Sequence, residues 1–138
     1  MLMEIKEKNI IANNPEKVAN VLQAVLKGEN KIDQDKEHFW AVGLNARNKI
    51  VYIDLVSLGI LNTNLVHPRE TFRLAISRGV ESIIVAHNHP SGGIEPSERD
   101  SAITSRLKKA GEIIGIKVID HLIITEDSYY SFKSEGTF

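Results

Sequence analysis

Residues 84–100 read IVAHNHPSGGIEPSERD and hold two histidines one residue apart, His87 and His89. A Ser-x-x-Asp, formed by Ser97 and Asp100, begins eight residues after the second. Neutral imidazole is a common metal ligand. Alternate side chains of a strand share a face, so both rings can point the same way as the chain leaves a sheet. A catalytic zinc ion typically takes three protein ligands and leaves a fourth position for water. Asp100, in the first turn of the helix that follows, offers the third ligand, and Gly92-Gly93 lets the loop fold back. The same residues also have a description without metal. Ser97-x-x-Asp100 is close to a capping box, with Asp in place of the usual Glu or Gln, and His-x-His also occurs at strand ends by chance. The two descriptions overlap, because a helix start can cap itself and still present Asp100 forward.

Composition narrows the chemistry. The chain has no cysteine, which excludes disulfides and thiolate zinc sites, so a metal must be held by His, Asp, Glu and water. There is no His-Glu-x-x-His, and zinc deaminases need cysteine ligands. The letters HNH evoke an HNH nuclease, but those enzymes spread their histidines over a ββα fold, whereas here both lie within three residues. Lys and Arg total 17 against 18 Asp and Glu, for a net charge of -1, which is no long-range footprint for nucleic acid. Hydrophobic residues make up 42% of 138, enough for one domain with a real core. No stretch approaches a membrane span, and the charged N-terminus MLMEIKEKNI lacks a signal-peptide core. A cytoplasmic protein is expected.

The elements that must position these residues alternate in type. Asn14-Pro15-Glu16 starts a helix that carries Val18, Val21, Leu22, Val25 and Leu26 and stops at Gly28. Residues 29–36 read as a charged loop. Glu37 to Asn45 and Ile50 to Val56 read as a hairpin, and Leu58 to Val66 as a further strand. His67-Pro68-Arg69-Glu70 opens a second helix, with Phe72, Leu74, Ala75 and Ile76 as its apolar contacts and Gly79 as its end. Ser82 to Ala86 is a short buried strand. Ser97 to Ile114 is a third helix, with Ile103, Leu107, Ala110 and Ile114 on one face. Ile116 to Thr125 and Tyr129 to Phe132 are strands. The pattern predicts an α/β (α+β) fold, a mixed β-sheet flanked by about three helices.

H-x-H-P, six more residues and S-x-x-D resembles the JAMM motif of the MPN/JAB metalloprotease superfamily. HNHPSG followed by PS is most similar to the RadC-like JAB proteins of bacteria. FWAVGLNARNKI resembles that family's early hairpin, HPRE its second helix start, and DHLIIT with SFKSEG its C-terminal strands. The likeness covers roughly residues 15 to 138. It implies a JAB/MPN-like fold with cytidine-deaminase-like layering. It also implies a single domain over residues 1–138, without the helix-hairpin-helix domain that precedes it in full-length RadC.

The resemblance further implies that His87, His89 and Asp100 hold Zn2+, and that an upstream glutamate activates water. Glu37 is the best match for that glutamate, with Glu70 its rival. Ser97 matches the motif serine, whose hydroxyl can steady an oxyanion. The implied reaction is hydrolysis of a peptide or isopeptide bond in an unidentified peptide or protein. A competing reading is a non-catalytic zinc-containing interaction module tied to DNA repair, touching nucleic acid only indirectly. Asn88 is expected to face away from the two histidines and tie down the loop. His121, Phe39 and Trp40 are expected in the core, and His38 and His67 at the surface or in packing.

Overall fold

The computed structural model describes residues 2–4, 10–59 and 66–138. Its elements in chain order are β1 (Leu2–Glu4), α1 (Pro15–Lys27), α2 (Lys31–Gln34), β2 (Glu37–Leu44), β3 (Ile50–Gly59), α3 (Pro68–Arg78), β4 (Ser82–Asn88), α4 (Glu98–Ile114), β5 (Lys117–Ile124) and β6 (Tyr129–Ser131). The strands form one six-stranded sheet in the order β1-β3-β2-β4-β5-β6. All pairs are antiparallel except β4 with β5, which α4 connects as a parallel crossover. The mixed sheet expected from the early hairpin is therefore present.

Helix boundaries follow local chemistry. Asn14 caps α1 by accepting from Lys17 N–H, with Pro15 in the first turn, where its missing N–H costs nothing. His67 caps α3 through its ring, accepting from Arg69 N–H, so it has a structural task the sequence did not signal. Gly79 and Gly115 end α3 and α4 in the left-handed region that glycine tolerates. The charged segment 29–36 contains the one-turn helix α2, capped by Asn30. Strand β3 runs on through Leu58 and Gly59, and residues 60–65 of the further expected strand lie outside the described residues.

Side-chain parity divides the core into two layers. Phe39, Ile83 and Val85 pack with Phe72, Ala75, Ile103 and Leu107 beneath α3 and α4. Trp40, Val42, Ile84 and Ala86 pack with Val18, Ala19 and Leu22 beneath α1. Ile76 and Ile114, expected as core contacts of their helices, are exposed instead. Every residue of β4 is buried, as befits an inner strand covered on both faces.

A bulge breaks the alternation in β5. Ile83 pairs with Val118, but Ile84 pairs with Asp120, so Ile119 is the extra residue. Val118 lies in the layer under α3 and α4, while Ile119 packs in the layer under α1. Past the bulge, His121 returns to the α4 side, where strict alternation from Val118 would have turned it away. Bulges commonly re-aim side chains in this way.

Gly43 on β2 faces the buried ring of Tyr52, and a Cβ there would fall inside the van der Waals envelope of three ring carbons. Gly43→Ala must displace that ring within a filled core, at a cost of about 1–3 kcal/mol. Urea denaturation should show a lowered midpoint. An unchanged midpoint would mean that the Tyr52 ring moves freely.

Candidate metal centre

The site forms where β4 leaves the sheet and α4 begins. Ile83 and Val85 face α4, and the same parity carries His87 and His89 to that side. His89 N–H donates to the Ile124 carbonyl at 2.9 Å, which keeps the chain level with β5 just past the strand end. The loop then turns through Gly92, in the left-handed region at φ 92°, and reaches the N-cap Ser97.

The capping box is fully formed. Asp100 N–H donates to Ser97 Oγ at 3.1 Å, and Ser97 N–H donates to Asp100 Oδ2 at 2.9 Å. The box also aims the carboxylate at the histidines. His87 Nε2 lies 3.2 Å from Asp100 Oδ1, His89 Nε2 lies 3.3 Å from Asp100 Oδ2, and the two Nε2 atoms are 2.9 Å apart. Capped helix and candidate metal site are one structure.

Among the described residues, this is the one group of three His, Asp, Glu or Cys side chains whose ligand atoms gather closely enough to hold an ion. The donor set fits a borderline divalent cation such as zinc. Ligand atoms set tetrahedrally at about 2.0–2.1 Å from an ion lie roughly 3.3 Å from one another, close to the separations found here. His89 Nδ1 sits 2.7 Å from the Gly93 carbonyl, which can only accept, so that nitrogen carries a proton; the neutral ring then turns a bare Nε2 to the centre, and the protonated ring adds an Nε2–H that donates to Asp100. His87 and Asp100 are almost completely buried, at 1% and 4% exposure. Burial alone would raise the Asp100 carboxyl, but hydrogen bonds with His87 and His89 and one from Ser97 N–H outweigh it and hold it well below the usual range. His89 is shifted up, chiefly by its hydrogen bond to Asp100 and against the opposing effect of burial.

Glu37 enters from the other neighbour of β4. Phe39 pairs with His87, and extending that antiparallel register by two residues brings Glu37 level with His89. Glu37 and Ser97 line the same open cleft of about 680 Å³ as His87, His89 and Asp100. Glu70 does not line it. That carboxylate lies by Arg69 and Arg73, 3.7 Å from each, at the start of α3.

Asn88 fixes this arrangement by a means the sequence showed only in outline. Its Nδ2 donates to the Lys36 carbonyl at 3.0 Å, and its Oδ1 accepts from His38 N–H. The side chain between the two histidines thus grips the backbone on either side of Glu37. His38 is buried, contacts Lys36 O and Glu29 through its two ring nitrogens, and stacks on Trp40. His121 is also fully buried, stacked on Phe132 at 4.7 Å, and its Nε2 lies 2.8 Å from His87 Nδ1. Phe39 and Trp40 are core residues, as expected. The contacts of His121 with His87 and Thr104 were missed in sequence. Thr104, four residues after Asp100 on the same helix face, was the available signal.

The mixed sheet, with paired histidines at the end of β4 and an aspartate at the start of α4, defines a JAB-like domain. The family model described as the RadC-like JAB domain matches residues 12–137, and the chain belongs to that family. It is 44% identical to a UPF0758 protein of Caldanaerobacter subterraneus subsp. tengcongensis over 138 residues, all of this chain and 57% of that protein. It is 58% identical to a UPF0758 protein of Clostridioides difficile over 98 residues, 71% of this chain and 42% of that one. A UPF0758 protein of Desulforudis audaxviator is 51% identical over 104 residues, 75% of this chain and 45% of its own length. The chain spans about half the length of these relatives. No helix among the described residues is long and apolar enough to cross a membrane.

The two pKa shifts give a signed expectation for the metal-free protein. The depressed Asp100 stabilises the fold above its ordinary value of 3.8, and that contribution is lost as pH falls through its folded pKa. The raised His89 stabilises below its ordinary value of 6.5, and that contribution is lost as pH rises through its folded pKa. The difference in thermal midpoint between wild type and Asp100→Asn should therefore peak between those values and shrink on both sides. A difference that does not vary with pH would refute the pairing.

Proposed function

We propose that this protein is a zinc-dependent hydrolase of the JAMM type that cleaves a peptide or isopeptide bond. The observation that carries this reading is the convergence of two imidazole nitrogens and a buried carboxylate in an open cleft that a second carboxylate, Glu37, also lines. A bound zinc ion would supply positive charge to polarise the scissile carbonyl and to make water acidic enough to ionise near neutral pH.

The remaining chemistry falls to side chains. Glu37 accepts the proton of the attacking water and delivers it to the departing amine, a general base turned general acid. Its place opposite His89 is held by the backbone grip of Asn88. Ser97 Oγ accepts from Asp100 N–H and keeps its own proton to donate to the developing oxyanion. Asp100 binds and does not shuttle protons, because its carboxyl is held ionised.

Two features favour a peptide over a nucleic acid. Asp35, Glu37, Glu98 and Asp100 outnumber Arg99 around the cleft, a poor setting for phosphates. A second groove of about 380 Å³ shares Asp35, His89, Pro90 and Ser91 with the first, so an extended chain can run past the centre from one to the other. A cytoplasmic setting suits a protein without disulfides.

The test is a pair of variants assayed on a peptide and isopeptide library with zinc-loaded protein. Glu37→Gln should abolish hydrolysis while zinc stays bound. Asn88→Ala should leave zinc in place but lower the rate and cost about 1–3 kcal/mol of stability, because buried backbone groups lose their partners. Hydrolysis that survives Glu37→Gln would overturn the reading and favour a different base. A zinc-loaded wild type that cuts nothing, with cellular activity untouched by Glu37→Gln, would favour an interaction module.

A further inference from the structure

We infer that Thr104 and His121 are positioning residues that hold His87 in the Nδ1–H tautomer, so that its bare Nε2 faces the centre. The inference deepens the zinc reading and rests on it for its purpose, but its geometry stands on hydrogen bonds alone.

The chain of contacts has one fixed end. Thr104 Oγ1 donates to the Asp100 carbonyl at 2.7 Å, and a carbonyl oxygen can only accept. With its proton spent there, Thr104 Oγ1 must accept from its other buried neighbour, His121 Nδ1. His121 is fully buried, where a neutral ring with one N–H is favoured. Its proton is therefore on Nδ1, and its Nε2 is an acceptor. His87 Nδ1, 2.8 Å from that Nε2, must be the donor. Nδ1 of His87 therefore carries a proton, and in the neutral ring, the form a buried imidazole favours, Nε2 carries a lone pair towards His89 and Asp100.

Each link depends on a different element. Thr104 lies one turn after Asp100 on α4, so the helix that supplies a candidate ligand also sets the polarity. The bulge at Ile119 turns His121 to the α4 side. Phe132 stacks on the His121 ring nearly parallel, at 8°, and Phe39 meets it edge-on. These contacts fix the ring plane. His89 reaches the same state separately, through the Gly93 carbonyl. Two routes thus bring both rings to one tautomer, with Nδ1 protonated and Nε2 bare. A partner that orients a ligating histidine in this way is typically worth a factor of 10–100 in metal affinity.

The first measurement needs no variant. Ring 15N–1H correlation spectra of metal-free wild type at about pH 9, well above the ordinary imidazole pKa of roughly 6.5, should show His87, His89 and His121 all as Nδ1–H tautomers. Thr104→Val keeps the shape and removes the hydroxyl. His121 is then free to place its proton on Nε2 and donate to His87 Nδ1, which drives the His87 proton to Nε2. The His87 signature should switch, and Zn2+ affinity by competition with a chromophoric chelator should fall by about 10–100-fold. Thr104→Ser should restore both. An Nε2–H tautomer at His87 in the wild type would overturn the inference, as would a Thr104→Val protein with unchanged tautomer and affinity. Nδ1–H tautomers in a wild type that binds no Zn2+ would sustain the relay and sink the zinc reading.

Discussion

Electron pairs that face one another at a largely buried site call for a positive charge between them. His87 Nε2, His89 Nε2 and the Asp100 carboxylate stand within 3.3 Å of their neighbours, two of the three residues almost wholly buried. When both rings are neutral with their protons on Nδ1, the two Nε2 atoms and the ionised carboxylate are all acceptors, and none can satisfy another. A cluster of unmatched acceptors at low dielectric is costly. The opposite pKa shifts of Asp100 and His89 express the same demand, because each favours a positive charge beside the carboxylate. A proton meets the demand in part. A divalent cation bound by all three residues meets it more fully.

The fold reads as the means of holding that conflict in place. β4 is inner, buried on both faces, and its parity aims the two histidines at α4. The capping box that begins α4 turns its carboxylate back on them, so ordinary helix-start chemistry also sets that carboxylate where a third ligand would stand. The register of β2 with β4 brings Glu37 level with His89, and Asn88 ties the strands together on either side of it. The bulge in β5 supplies the ring behind His87. Stability of the sheet and geometry of the site are not separable here.

Much of this was legible in the sequence, because local rules governed it. Asn14-Pro15, Ser97-x-x-Asp100 and Gly79 or Gly115 mark helix ends by chemistry that acts within a few residues. The histidine pair announced itself by spacing, and the surrounding blocks carried the family. What stayed hidden depends on pairing between distant segments. Ile76 and Ile114 match a helical apolar stripe, yet they are exposed. His121 looks like a core residue and is one, but its contact with His87 depends on an extra residue in β5 that alternation cannot foresee. His38 carried no motif, and its contact with Glu29 appears only once the chain is folded; His67 was read at the start of α3, but not that its ring would cap it.

The central claim is that the three acceptors form a cation site, and metal content tests it most directly. Protein purified without added chelator, and protein stripped and then titrated with Zn2+, should each hold one ion per chain. The double variant His87→Ala, His89→Ala should fold and hold none. A wild type that is folded at neutral pH, carries no ion and takes up none on titration would contradict the account, and would leave His87, His89 and Asp100 as a proton-sharing cluster at the head of a well-capped helix.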